Sequence, residues 1–106
     1  MGSTKARTSL PVACTLSAPE KRERETSLIA KFKSGVVATL EIENGYAFQF
    51  SGASIWIEIA AEFMVAEREC CPFLLFELAA DPDQGPVTVR ITGPGDTKEF
   101  LQTLLL

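Results

Sequence analysis

Histidine is missing from all 106 residues. Its absence removes the commonest general base, the Ser-His-Asp triad and the imidazole metal ligand. Cysteine is scarce: Cys14, Cys70 and Cys71 make an odd count of three, which fits poorly with a disulfide framework. No apolar run approaches the roughly 18 residues needed to cross a bilayer. No basic run occurs either, and a formal net charge of −4 argues against a nucleic-acid partner, whose phosphates demand clustered Lys and Arg. Met1 to Pro11 lacks the apolar segment of a secretory signal, and Ala6 stands where a myristoylation signal wants Ser or Thr. These absences predict a cytoplasmic protein with reduced thiols and neither a membrane nor a nucleic-acid partner.

What is present suits one folded domain. Apolar residues make up 46% of the chain and include seven Phe and one Trp, enough for a real core. The expected organisation is a flexible lead-in over 1–13 and a single α+β domain over 14–106. Ser17-Ala18-Pro19-Glu20 reads as a capping box that opens a helix ending near Ser34 and Gly35. Leu28, Ile29 and Phe32 are its anchors. Lys21, Arg22 and Arg24 alternate with Glu20, Glu23 and Glu25, the mark of a solvated helix face.

From Val36 to Glu43 the chain alternates, then Asn44-Gly45 gives a hairpin signal before Tyr46, Phe48 and Phe50. Ser54 or Ser51 is placed to cap a second helix that carries Ile59, Phe63, Ala66 and Cys70 on one face and Glu58, Glu62 and Glu69 on the other. Pro72 disfavours a helical Cys71, so this helix should end at the cysteine pair. Strands are predicted over Phe73–Ala79 and Val87–Thr92, with a turn at 81–85. Asp96 and Glu99 suggest a capped last helix. The order α-β-β-α-β-β-α predicts two hairpins forming a four-stranded antiparallel sheet with helices on one face, a permuted ferredoxin-like arrangement. Phe73 and Leu75 are expected on the face away from the helices, a surface suited to a homodimer contact through the sheet or to a ligand.

Glu67-Arg68-Glu69-Cys70-Cys71-Pro72-Phe73 concentrates the possible soft-ligand chemistry. Adjacent cysteines at a helix end point in different directions. The helix C-terminus, Glu67 and Glu69 all disfavour a thiolate, opposite to what a cysteine nucleophile needs. A bound cation supplies the missing positive charge itself. The chemistry expected is therefore soft-metal binding at Cys14, Cys70 and Cys71 with Glu67 as auxiliary ligand one turn before Cys71, for Zn, Cu(I) or Hg(II). Such a protein sequesters or handles metal rather than turning over a substrate. Two alternatives stay open: cysteines that only pack, as a structural or interaction domain, and a thiol redox protein in which Cys14 pairs with Cys70 or Cys71.

Ala13-Cys14-Thr15-Leu16, Asn44 to Phe48, Glu67 to Phe73 and Ile91 to Pro94 together resemble a largely uncharacterised family of small bacterial single-domain proteins. That family is marked by a Glu-Arg-Glu-Cys-Cys-Pro-Phe segment. The resemblance covers nearly all of the chain from Cys14 onward. It implies that Cys14, Glu67, Cys70 and Cys71 belong to one pattern, and it brings no activity with it.

Overall fold

The structure, a computed structural model, describes residues 19–106. Its elements are α1 (Pro19–Gly35), β1 (Ala38–Ile42), β2 (Gly45–Phe50), α2 (Ser54–Cys70), β3 (Leu75–Ala80), β4 (Val87–Thr92) and α3 (Thr97–Leu105). The expected order is thus the observed one. The lead-in, Cys14 and the Ser17 cap lie outside the described residues. The sheet runs β1-β2-β4-β3, antiparallel throughout, the order that a circular permutation of the ferredoxin-like arrangement produces.

The register decides which face is core. Tyr46, Phe48 and Phe50 pair with Ile91, Val89 and Val87, all buried under the helices. Across β1 the same face carries Thr39 and Glu41, opposite Phe48 and Tyr46. The apolar members of β1, Ala38, Leu40 and Ile42, therefore look outward. β1 is an edge strand at the rim of the helical layer, so its polar side can reach helix ends: Lys98 of α3 pairs with Glu41 at 2.7 Å.

The first hairpin turns through Glu43 and Asn44, with Asn44 alone taking positive φ (67°) and Gly45 already paired in β2. Gly45 is required for a different reason than turn geometry. A Cβ there would run into the Ile91 carbonyl oxygen of β4.

Phe32 sits at the centre of the core. Its ring stacks on Phe63 of α2 at 4.0 Å and meets Phe48 and Phe50 edge-on at 5.6 and 4.9 Å. Trp56 closes one end, stacked on Phe50 and pressed against Gly35, where a Cβ would fall on the indole.

Two expectations are corrected. β3 begins at Leu75, because Pro72 and Phe73 are the middle of a turn closed by the Leu74 N–H donating to the Cys71 carbonyl at 3.1 Å. Phe73 consequently does not reach the outer face: it is buried, edge-on to Phe100 of α3 at 5.1 Å. Leu75 does face outward, 40% exposed. Neither the second nor the last helix uses the expected side-chain cap. Ala53 and Asp96 occupy the cap positions without a side-chain bond, and the Thr97 hydroxyl instead donates to the Pro94 carbonyl at 2.5 Å.

Candidate metal centre

α1 and α2 pack so that Phe32 lies on Phe63 near one end of their contact, and Lys21 pairs with Glu69 at 3.9 Å near the other. Residue numbers fall along α1 as they rise along α2, so the two helices run antiparallel. Between these markers lie Glu25 on α1 and Glu67 on α2. Glu25, Leu28, Phe32 and Gly35 form the buried stripe of α1. Ala60, Phe63, Ala66, Glu67 and Cys70 form that of α2. Cys71 follows as the residue that ends α2, its N–H donating to the Glu67 carbonyl at 2.6 Å and its backbone leaving the helix at φ −126°, ψ 74°.

This packing seals four chemically active side chains together. Glu25 is 8% exposed, Cys70 1%, and Glu67 and Cys71 are fully enclosed. One ligand atom of each lies within 4.8 Å of every other. The Cys71 thiol donates to Glu67 Oε1 at 3.5 Å. Glu25 Oε2 and Glu67 Oε2, both buried, have no hydrogen-bond partner among the described residues. An enclosed carboxylate oxygen without a donor is costly, which makes these two atoms the main anomaly of the fold.

Proton binding relieves part of that cost. Burial first, and then the facing Glu25 carboxyl, raise Glu67 from its ordinary value near 4.5 to about 9. Glu67 is thus a neutral acid at pH 7. Burial and the same two carboxylates push the Cys71 thiol well above the ordinary thiol range, so Cys71 is a thiol and not a thiolate. The site is poor in positive charge and rich in donors, which is the condition under which a cation replaces protons.

Of the ligands expected from the sequence, the fold brings Glu67, Cys70 and Cys71 into one cluster. Cys14 lies outside the described residues. Glu25 was assigned to a solvated charge run and is instead buried in the site. Its signal was present: Glu25 stands three and seven residues before Leu28 and Phe32, on their stripe, whereas Glu20 and Glu23 do not.

The expectation of three reduced thiols also needs correction. Cys71 is free, but Cys70 is disulfide-bonded.

The chain matches no family model, and no curated protein or solved structure is significantly similar to it.

Proposed function

We propose that the protein, once the Cys70 disulfide is reduced, binds a thiophilic metal ion, foremost Zn(II), between α1 and α2, with Glu25, Glu67, Cys70 and Cys71 as the donor set. The observation that carries this reading is the pair of partnerless buried oxygens, Glu25 Oε2 and Glu67 Oε2, beside two cysteine sulfurs within 4.8 Å. Zn–S bonds near 2.3 Å and Zn–O bonds near 2.0 Å give tetrahedral edges of roughly 3.3 to 3.8 Å. The cluster needs to contract by about 1 Å at its widest separation, within the reach of side-chain rotation.

Ligand chemistry separates the three candidate ions. Cu(I) and Hg(II) favour sulfur alone, whereas Zn(II) accepts thiolate and carboxylate together. Charge sets a further condition. Two thiolates and two carboxylates around one dication would leave a buried excess of negative charge, so one carboxyl keeps its proton and hydrogen-bonds the other.

The activity that follows is metal sequestration or handling in a bacterial cytoplasm, without turnover. A homodimer through the open sheet face, where Leu40 is 51% and Leu75 40% exposed, belongs to the same reading. The competing view, cysteines that merely pack, accounts for Cys71 but not for the two carboxyl oxygens, Glu25 Oε2 and Glu67 Oε2, sealed beside it without a partner.

Native mass spectrometry of the reduced protein with stoichiometric Zn(II), Cu(I) and Hg(II) tests the assignment and reports the oligomer. One zinc per chain is expected, lost in Cys71→Ser. Equal zinc retention by Cys71→Ser, or no retention by the wild type, refutes it.

A further inference from the structure

β3 is an edge strand, and among the described residues nothing pairs with its outer side. The Asp81 N–H donates to the Pro86 carbonyl at 3.0 Å, in line with the register that pairs Ala79 with Thr88, Glu77 with Arg90 and Leu75 with Thr92. Antiparallel bonding alternates along a strand, so the N–H and C=O groups of Phe76, Leu78 and Ala80 point away from β4. Open edges are commonly blunted by Lys, Pro or an inward charge. Leu75–Ala80 contains no Lys or Pro, and its one charge, Glu77, is tied to Arg90 at 3.3 Å on the face away from the helices.

α2 runs beside that edge, with Phe63 edge-on to Phe76 at 6.3 Å. Ile57, Ala61, Met64 and Arg68 follow one another at spacings of four, three and four, which puts them on one stripe of the helix. Ile57 is 37% exposed, and Ala61 is exposed as well. At the Arg68 end, Met64, Arg68, Pro72, Leu74, Leu75 and Phe76 line a cleft of about 470 Å³. Among the described residues Arg68 has neither a carboxylate nor a hydrogen-bond partner. A cation thus stands alone where an apolar stripe meets an open strand edge.

We propose that this groove binds the C-terminal end of a partner protein as an added strand. The partner's backbone pairs with the β3 edge, its apolar side chains lie on Ile57, Ala61 and Met64, and its terminal carboxylate meets Arg68. Direction follows from the strand: β3 starts beside Arg68, so a segment running antiparallel to it ends there. At that same end the Cys71–Leu74 turn carries the chain from α2 to β3, which stops the groove and selects a chain terminus over a passing segment. A second copy of this chain fits less well. The helix-side residues of its own β3, Phe76 and Leu78, are already packed on its own core and would leave the stripe unfilled. The inference is independent of the metal reading.

The test is an NMR titration of isotope-labelled protein with an acetylated pentapeptide of alternating valine and threonine that ends in a free carboxylate. At millimolar peptide, shifts are expected at the Phe76, Leu78 and Ala80 amides and at the Arg68 side chain. The same peptide with an amidated end should bind about fivefold more weakly. Arg68→Gln, whose spectrum should otherwise match the wild type, should bind the acid as weakly as the amide. No shifts along β3, or equal binding of acid and amide by the wild type, overturns the proposal. Undiminished binding of a peptide N-methylated along its backbone also overturns it, since such a peptide cannot donate to the edge. Slow hydrogen exchange of the Phe76, Leu78 and Ala80 amides before any peptide is added is equally fatal, because the edge is then already filled by this chain or a second copy.

Discussion

Replacing Glu67 by glutamine should change how stability depends on pH more than it changes stability at any one pH. In the folded protein Glu67 titrates at about 9, against an ordinary value near 4.5. Between those values the native state holds a proton that the unfolded chain has released. Stability therefore falls as pH rises, by at most about 1.4 kcal/mol per pH unit. The contribution is complete below pH 4.5 and is lost as pH climbs through about 9. From pH 6 to pH 8 the loss reaches about 2.7 kcal/mol at this limiting slope. Glu67 is fully enclosed, so solvent screening does not reduce it.

In Glu67→Gln the side chain keeps its shape and has no proton to lose, so this component vanishes. Each kcal/mol moves the melting temperature of a domain this size by roughly 4–8 °C. The melting temperature of Glu67→Gln minus that of the wild type should accordingly rise by about 10 °C or more from pH 6 to pH 8. Thermal melts followed by circular dichroism, in chelator and at fixed thiol state, measure it. The Cys71 thiol contributes little in this window, because its ordinary value of 9.0, at which the unfolded chain starts to release the proton, lies above it. A difference that stays constant between pH 6 and pH 8 would refute the neutral, buried Glu67.

Three further outcomes follow from the same packing. Glu25→Gln removes one of the causes that raise Glu67, so the falling stability should level off at a lower pH than in the wild type, as read from the same melts. Phe63→Ala empties the fully buried centre of the α1–α2 contact and should cost about 3–5 kcal/mol, measured by urea unfolding with little change in slope. Gly35→Ala, which on helix propensity alone would stabilise by up to about 1 kcal/mol, should destabilise and shift Trp56 fluorescence, because the added methyl meets the indole.

The sequence carried the fold well where local chemistry and tertiary packing agree. Pro72 ends α2 at the cysteine pair, and alternation through Tyr46, Phe48 and Phe50 marks the buried side of β2. It was less informative where a neighbour decides. β1 turns its apolar residues outward because pairing with β2 sets the register, and nothing in β1 records that it is an edge. Phe73 enters the core because a turn, not a strand, follows Cys71. In the site, Glu67 was visible through its one-turn spacing from Cys71. Glu25 was concealed among alternating charges, since its burial depends on which face of α1 meets α2 and not on its neighbours in sequence.

Zinc K-edge X-ray absorption on the reduced, zinc-loaded protein examines the central claim most directly. Two sulfurs near 2.3 Å and two lighter ligands near 2.0–2.2 Å are predicted. A shell of light atoms alone, or one of four sulfurs, would contradict a centre built from Glu25, Glu67, Cys70 and Cys71.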